Sequence, residues 1–187
     1  MEKKTKFYRA ISFVTLITLI LLLVPFVAMQ VTPEVRWDLA DFVLAGTLIF
    51  GAGSVLAVVL QSHTSVTYRA GVIIAIGTTF LMIVANLAVG LIGSGPNAGN
   101  LMYGGVLAVL LAGLYLSKFK PVGMERTMFA TALSVLLAGG IAIMLGEHQL
   151  PGSSVIKVVG VSLFFSLPYG VAGLLFRVDS TDQASVH

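Results

Sequence analysis

The chain has 187 residues, of which 57% are hydrophobic and only 10% charged, and its net charge is +3. Soluble domains are about a quarter charged, so this composition excludes an ordinary soluble protein and leaves no room for a soluble domain beside membrane spans. The small charge is no signal for nucleic acid, and the absence of cysteine excludes disulfides, thiolate metal sites, cysteine nucleophiles and thioether-linked haem.

Six apolar runs follow one another along the chain, and each is close to the ~20 residues that a helix needs to cross a bilayer. They do not alternate between apolar and polar residues, so helices are predicted rather than barrel strands. The predicted fold is all-α: one domain over residues 1–177, formed by a bundle of six transmembrane helices with short loops. The predicted spans are about 8–29, 40–60, 70–92, 101–117, 127–146 and 155–176.

The first run follows the basic segment "MEKKTKFYRA" and therefore has the outline of a signal peptide. It extends over residues 7–29, longer than a typical signal core, and "FVAMQ" offers no small-x-small cleavage site. We predict a retained membrane helix. At the other end of the chain, residues 178–187 ("VDSTDQASVH") are polar and are predicted to form a disordered cytoplasmic tail.

The basic residues are distributed unequally between the two sides of the predicted bundle. If the N-terminus is cytoplasmic, the outer side carries only Arg36 and Lys157. The remaining basic residues then lie on the cytoplasmic side: Lys3, Lys4, Lys6, Arg9, Arg69, Lys118, Lys120, Arg126 and Arg177. This bias predicts a multi-pass plasma-membrane protein with both termini in the cytoplasm.

Polar residues within or beside the spans are concentrated near the predicted outer face. Asp38 and Asp41, three residues apart, share one face at the start of the second span. Asn86 lies about 10 Å below the outer end of the third span. The segment "GSGPNAGNLMY" then leads into the fourth span, and it lacks the lysine of a phosphate-binding loop.

These residues predict an outward-facing polar depression, in which Asp41 and Asn86 lie deepest. Its candidate members are Asp38, Asp41, Asn86, Asn97, Asn100, Tyr103 and His148. A structural interpretation is open for several of them. Asp38 fits a helix N-cap, Asp41 the positive end of the helix dipole, Asn86 an interhelical hydrogen bond and Tyr103 an interface anchor.

Close helix packing in lipid requires small residues, and two spans carry them at four-residue spacing. We predict that these two stripes face each other with their backbones in contact. The stripe of the fourth span is Gly104, Ala108 and Ala112, and that of the fifth is Ala130, Ser134, Ala138 and Ala142.

No metal site, cofactor or catalytic constellation is predicted. His148 is the only histidine on the outer side, His63 is on the opposite side and His187 is in the tail, so no pair is placed to hold haem. The interiors of the third to fifth spans carry no ionisable residue, which argues against a proton relay or a voltage sensor.

"WDLADFVLAGTLIFGAG", "YRAGV" and "NLAVGLIGSGPNAGNLMY" together resemble a set of small bacterial inner-membrane proteins of unassigned function. The resemblance covers residues 37–103. It implies a bacterial inner-membrane location and carries no activity, substrate or cofactor.

Three classes of function fit these features. The first is a non-enzymatic accessory or binding subunit with a polar site at the periplasmic face. The second is a small transporter or channel for a neutral or small solute, which would have to oligomerise to form a pathway. The third, an enzyme, is the weakest because no catalytic site is evident. The expected partners are the lipid bilayer and either a second copy or a larger membrane complex, with no nucleic acid.

Overall fold

The computed structural model of the chain describes residues 2–62, 65–93 and 98–185. Within these ranges the chain forms six α-helices and no strand, which confirms the all-α prediction. The helices are α1 (Glu2–Val31), α2 (Leu39–Ser62), α3 (Val66–Ala88), α4 (Met102–Ser117), α5 (Pro121–Met144) and α6 (Val155–Ser185). Short 3-10 helices lie before α4 at Ala98–Leu101 and after α5 at Glu147–Gln149.

All six helices are long and apolar enough to cross a membrane. Hydrocarbon offers no partner for backbone polar groups, and a helix satisfies these groups internally. The chain is therefore a multi-pass membrane protein.

Three helices, α1, α3 and α5, begin several residues before the predicted spans. For α3 and α5 the reason is that the local start signal lies before a basic residue. The hydroxyl of Ser65 caps α3 by accepting from the backbone N–H of Tyr68 at 3.3 Å. Pro121 occupies the first turn of α5, where its missing N–H costs nothing. The predicted spans began after Arg69 and Arg126, but a long basic side chain can leave the hydrocarbon while its backbone stays helical.

The chain divides into two compact units, Met1–Thr64 and Ser65–His187. In the first, α1 and α2 form an antiparallel hairpin. Gly46 of α2 lies against the side chain of Leu22 in α1. Two turns later in α2, Gly53 lies against the side chain of Val14, which is two turns earlier in α1. Glycine is required there because a Cβ at Gly53 would come within 2.8 Å of the Val14 side chain.

The second unit consists of α3 to α6. Within it α5 packs along both α4 and α6, and α6 also packs along α3. Large side chains from all four helices fill the core, namely Tyr68, Met82, Tyr103, Met128, Val135, Val158, Tyr169 and Phe176. We refer to the end of this unit where α3 ends and α4 begins as the α3–α4 end, and to the opposite end as the α4–α5 end.

The predicted packing stripe of α4 is wrong. Gly104, Ala108 and Ala112 are exposed, and space is open around Gly104. The buried face of α4 instead carries larger side chains, at Tyr103, Val106 and Leu110. The close approach to α5 occurs at Gly113, where an added Cβ would overlap the Thr127 side chain. Burial in α4 therefore follows the bulky residues, and its one close approach of backbone to a neighbouring side chain is at Gly113.

The predicted stripe of α5 is correct only in part. Ala138 and Ala142 are buried, Ser134 is half-buried and Ala130 is exposed. Gly139 of α5 lies against the Ser162 side chain of α6, which an added Cβ would overlap. The buried face of α5 is divided between two neighbouring helices, so it follows no single four-residue stripe.

The predicted disordered tail is also wrong over the residues that the structure describes. α6 continues to Ser185, and Asp179 within this extension is only 3% exposed. Thr67, in the first turn of α3, donates a hydrogen bond to the Asp179 carboxylate at 3.4 Å. The carboxylate at the positive end of α3 thus holds the end of α6 in place.

Candidate functional site

The α3–α4 end of the second unit is organised by the side chain of Asn100. Its Oδ1 accepts from the backbone N–H groups of Leu91 and Ile92 at 2.8 and 2.9 Å. Its Nδ2 donates to the carbonyl oxygen of Ile92 at 3.3 Å. An asparagine amide can satisfy donors and acceptors at once, so one buried side chain orders the backbone that follows α3.

Asn86 lies two residues before the end of α3, and only half of its amide is satisfied. Its Nδ2 donates to the backbone carbonyl of Asn100 at 3.3 Å. Its Oδ1 is buried and has no hydrogen-bond partner among the described residues. Asn86 is therefore a link between two helices that also presents a free acceptor.

Tyr103, in the first turn of α4, is 2% exposed, and its hydroxyl has no hydrogen-bond partner among the described residues. Ser162 of α6 interacts with this hydroxyl, although the geometry of the pair is not that of a hydrogen bond. Ser162 donates its own proton to the carbonyl of Val158 at 2.7 Å. A buried tyrosine hydroxyl normally finds a partner, so Tyr103 is an exception that needs an explanation.

Helix register places Asn86 and Ser162 at the same depth. The hydroxyl of Tyr169 in α6 lies 2.7 Å from that of Thr79 in α3. Thr79 donates to the carbonyl of Ala75, so Tyr169 is the donor in this pair. α3 and α6 run antiparallel, and seven residues make about two helical turns. Asn86 lies seven residues after Thr79 on α3, and Ser162 lies seven residues before Tyr169 on α6. Both steps lead toward the α3–α4 end, so Asn86 shares a helix face with Thr79 and Ser162 shares one with Tyr169.

Two pairs of side chains thus lie at this end, Asn86 with Asn100 and Tyr103 with Ser162. We call these four residues the amide–tyrosine site. All four are neutral. Among the described residues, the Asn86 carbonyl of this site lacks a donor, and the Tyr103 hydroxyl, which can either donate or accept, lacks a hydrogen-bond partner. This chemistry suits a neutral polar group that both donates and accepts hydrogen bonds. No group of three or more carboxylate or imidazole side chains that could hold a metal occurs in the described part of the chain.

The two predicted aspartates belong to the first unit, where both are engaged in capping α2. The Asp38 N–H donates to the Asp41 carboxylate at 2.9 Å, and the Asp41 N–H donates to the Asp38 carboxylate at 3.0 Å. Trp37 packs against Phe42 across this cap, with ring centroids 5.3 Å apart. This is a capping box with a hydrophobic staple, so the expectation that Asp41 lies deeper than capping requires is wrong.

His148 is half-buried, and its Nδ1 lies 3.2 Å from the carbonyl of Ile143. It therefore adds a second hydrogen bond to a carbonyl at the end of α5, which also accepts from the Gly146 N–H at 3.1 Å. Asn97 lies outside the residues that the structure describes. Of the seven predicted members, Asn86 and Asn100 are joined by a hydrogen bond, and Tyr103 lies in the first turn of the helix that follows Asn100.

Sequence reasoning missed two residues. Ser162 has no motif around it and is revealed only by counting seven residues back from Tyr169. Asp179 was assigned to the tail, although it is the one acidic residue among the buried side chains of the described chain.

Comparison of the chain with protein-family models, with curated proteins and with solved structures gives no match. No activity, substrate or cofactor is therefore transferred to it from a relative.

Proposed function

We propose that this protein is a non-catalytic binding subunit of a bacterial inner membrane, which holds a neutral polar group at the amide–tyrosine site. The group belongs either to a small molecule or to a membrane protein that this chain accompanies as an accessory subunit. The observation that carries the proposal is the Tyr103 hydroxyl, which is buried without a partner among the described residues.

Two buried polar atoms would gain free energy from a bound group. A buried polar atom without a partner costs about 1–3 kcal/mol, and this site contains both the Asn86 carbonyl and the Tyr103 hydroxyl. A bound group that satisfies both would recover this cost. Its entry requires a local opening, and the 3.3 Å contact from Asn86 to the Asn100 carbonyl is among the longest hydrogen bonds around the site.

The location and orientation rest on the charge bias. Nine basic residues lie on one side of the six spans and two on the other, which favours cytoplasmic termini. The α3–α4 end then faces the periplasm. The resemblance over residues 37–103 to small bacterial inner-membrane proteins supports the same location.

A small oligomeric transporter for a neutral solute is the alternative. In its favour, the amide–tyrosine site and the Thr79–Tyr169 pair form two polar layers in the core. Against it, Met82 and Phe165 lie between these layers along α3 and α6 and are 1% and 3% exposed. The binding subunit is therefore favoured.

The proposal predicts that Tyr103→Phe and Asn86→Leu each lose the bound partner. The chain is purified in mild detergent from its native membrane, and bound small molecules and proteins are identified by mass spectrometry. Tyr103→Phe is also expected to keep or raise the midpoint of thermal unfolding, because it removes a hydroxyl that lacks a partner. A variant that loses binding through misfolding would instead unfold at a lower temperature.

The matched control is Tyr115→Phe, which removes the same hydroxyl from an 82% exposed tyrosine on the same helix. It is expected to change neither binding nor stability. A protein that carries no partner when purified, or that retains its partner in both site variants, would contradict the proposal.

A further inference from the structure

The opposite end of the second unit carries a cluster of exposed cations in the turn between α4 and α5. We call Lys118, Lys120 and Arg126 the basic turn. All three are exposed, and none pairs with a carboxylate of another described residue. The acidic residue beside them, Glu125, lies 3.8 Å from Arg177 of α6 and is already engaged. The basic turn therefore presents net positive charge.

Helix geometry allows the three cations to reach a common level. Arg126 stands five residues after the start of α5, so its backbone lies about 7.5 Å below that start. Helical side chains point toward the helix N-terminus, which for α5 is the α4–α5 end. A long arginine side chain can therefore bring its guanidinium back toward the level of the two lysines.

The turn that holds the lysines is rigid. Lys118 and Phe119 both have positive φ angles, 47° and 59°, which L-residues adopt only when the surroundings hold them. The Tyr68 hydroxyl donates to the Phe119 carbonyl at 2.6 Å, and the Phe119 N–H donates to the Ser117 hydroxyl at 3.1 Å. Tyr68 itself is fully buried. The positions of the lysines are thus set by the core of the unit.

Apolar side chains lie directly beside these cations. Leu116, Phe119 and Val122 are 77%, 44% and 49% exposed. Cations adjoining exposed apolar side chains match a molecule with an anionic head and a hydrocarbon tail.

We propose that the basic turn binds the phosphate of an anionic phospholipid, with the neighbouring apolar side chains against its acyl chains. This inference is independent of the amide–tyrosine site, which lies at the other end of the unit. Juxtamembrane basic residues attract anionic lipid by about fivefold in affinity each.

The test is a lipid titration of the purified full-length chain, followed by native mass spectrometry with phosphatidylglycerol and, separately, phosphatidylcholine. The wild type is expected to prefer phosphatidylglycerol. Replacing all three cations by glutamine is expected to lower the affinity for phosphatidylglycerol on the order of a hundredfold and to leave phosphatidylcholine unchanged.

A second variant tests the rigid turn without removing charge. Tyr68→Phe releases the Phe119 carbonyl and is expected to lower phosphatidylglycerol affinity by about two- to tenfold, because the cations are no longer preorganised. The control is Lys157→Gln, which removes an exposed cation at the α3–α4 end, where Lys157 donates to the Gly152 carbonyl. It is expected to leave the affinity unchanged.

Equal binding of the two lipids, or a triple variant that binds phosphatidylglycerol like the wild type, would overturn the inference. Inorganic phosphate is titrated as a competitor. If inorganic phosphate displaces the lipid with an affinity equal to that of phosphatidylglycerol, the site recognises free phosphate rather than lipid, and the inference fails.

Discussion

At the scale of single residues, polar groups in this chain divide into those that are satisfied locally and those that are not. Asp38, Asp41 and His148 serve the ends of their own helices. Asn86 and Tyr103 each keep one buried polar atom without a partner among the described residues. Helix ends always leave backbone groups unpaired, so a polar residue near one has a structural use by default. The polar residues that point to a binding site are therefore those whose buried polar atoms are not explained by a helix end.

The capping box gives a prediction at this scale. Asp38→Ala is expected to destabilise the start of α2 by about 0.5–2 kcal/mol, because the Asp41 N–H loses its acceptor. Amide hydrogen exchange over residues 39–43 is the measurement, and faster exchange is expected. Asp38→Asn should exchange like the wild type, since asparagine caps equally well. Unchanged exchange in Asp38→Ala would contradict the capping role.

At the level of whole helices, two helices pack closely where a side chain of one lies against a glycine of the other. In α4 the small residues at 104, 108 and 112 face outward, and Gly113 makes the contact with Thr127. In lipid, small and large apolar side chains can both face the hydrocarbon at little cost in free energy, because no hydrophobic force drives either of them into the protein. A stripe of small residues therefore does not by itself identify the packed face.

Two glycines of α4 test this account. Gly113→Ala is expected to destabilise the second unit by about 1–3 kcal/mol, because the added methyl overlaps a threonine whose hydroxyl is bonded to Gly123. Gly104→Ala, with nothing within 4 Å, is expected to be neutral or to stabilise by up to about 1 kcal/mol. Thermal unfolding in one detergent compares the two variants. Equal effects would show that Gly113 is not the contact.

At the scale of the whole molecule, the chain consists of a two-helix unit and a four-helix unit, each made of antiparallel helices. The charge bias predicts one orientation for all six spans. The chain has no cysteine, so a single introduced cysteine reports its own side of the membrane.

Two exposed positions serve for this measurement. Gln149→Cys, after α5, is expected to react with a membrane-impermeant thiol reagent in intact cells. Thr181→Cys, near the end of α6, is expected to react only after permeabilisation. The reverse pattern would place the termini outside, and the amide–tyrosine site would then face the cytoplasm.

The class of fold, the number of helices and most helix boundaries could be predicted from the amino-acid sequence, because they depend on the length of each apolar run against the thickness of a bilayer. The starts of α3 and α5 were predicted too late, because the Ser65 cap and Pro121 lie outside the apolar runs. The sequence also singled out Asn86, Asn100 and Tyr103 as candidates, because polar residues near a span are rare.

The helix pairs, the buried face of α4 and the polar atoms that lack partners among the described residues could not be predicted before the helices were packed. These outcomes depend on pairs of residues far apart in the chain, such as Thr79 with Tyr169 or Gly113 with Thr127. Hydropathy is a property of one residue at a time, and lipid exerts no hydrophobic force that would mark the packed face. The division of the polar residues into caps and an unsatisfied site therefore appears only once the helices are in contact.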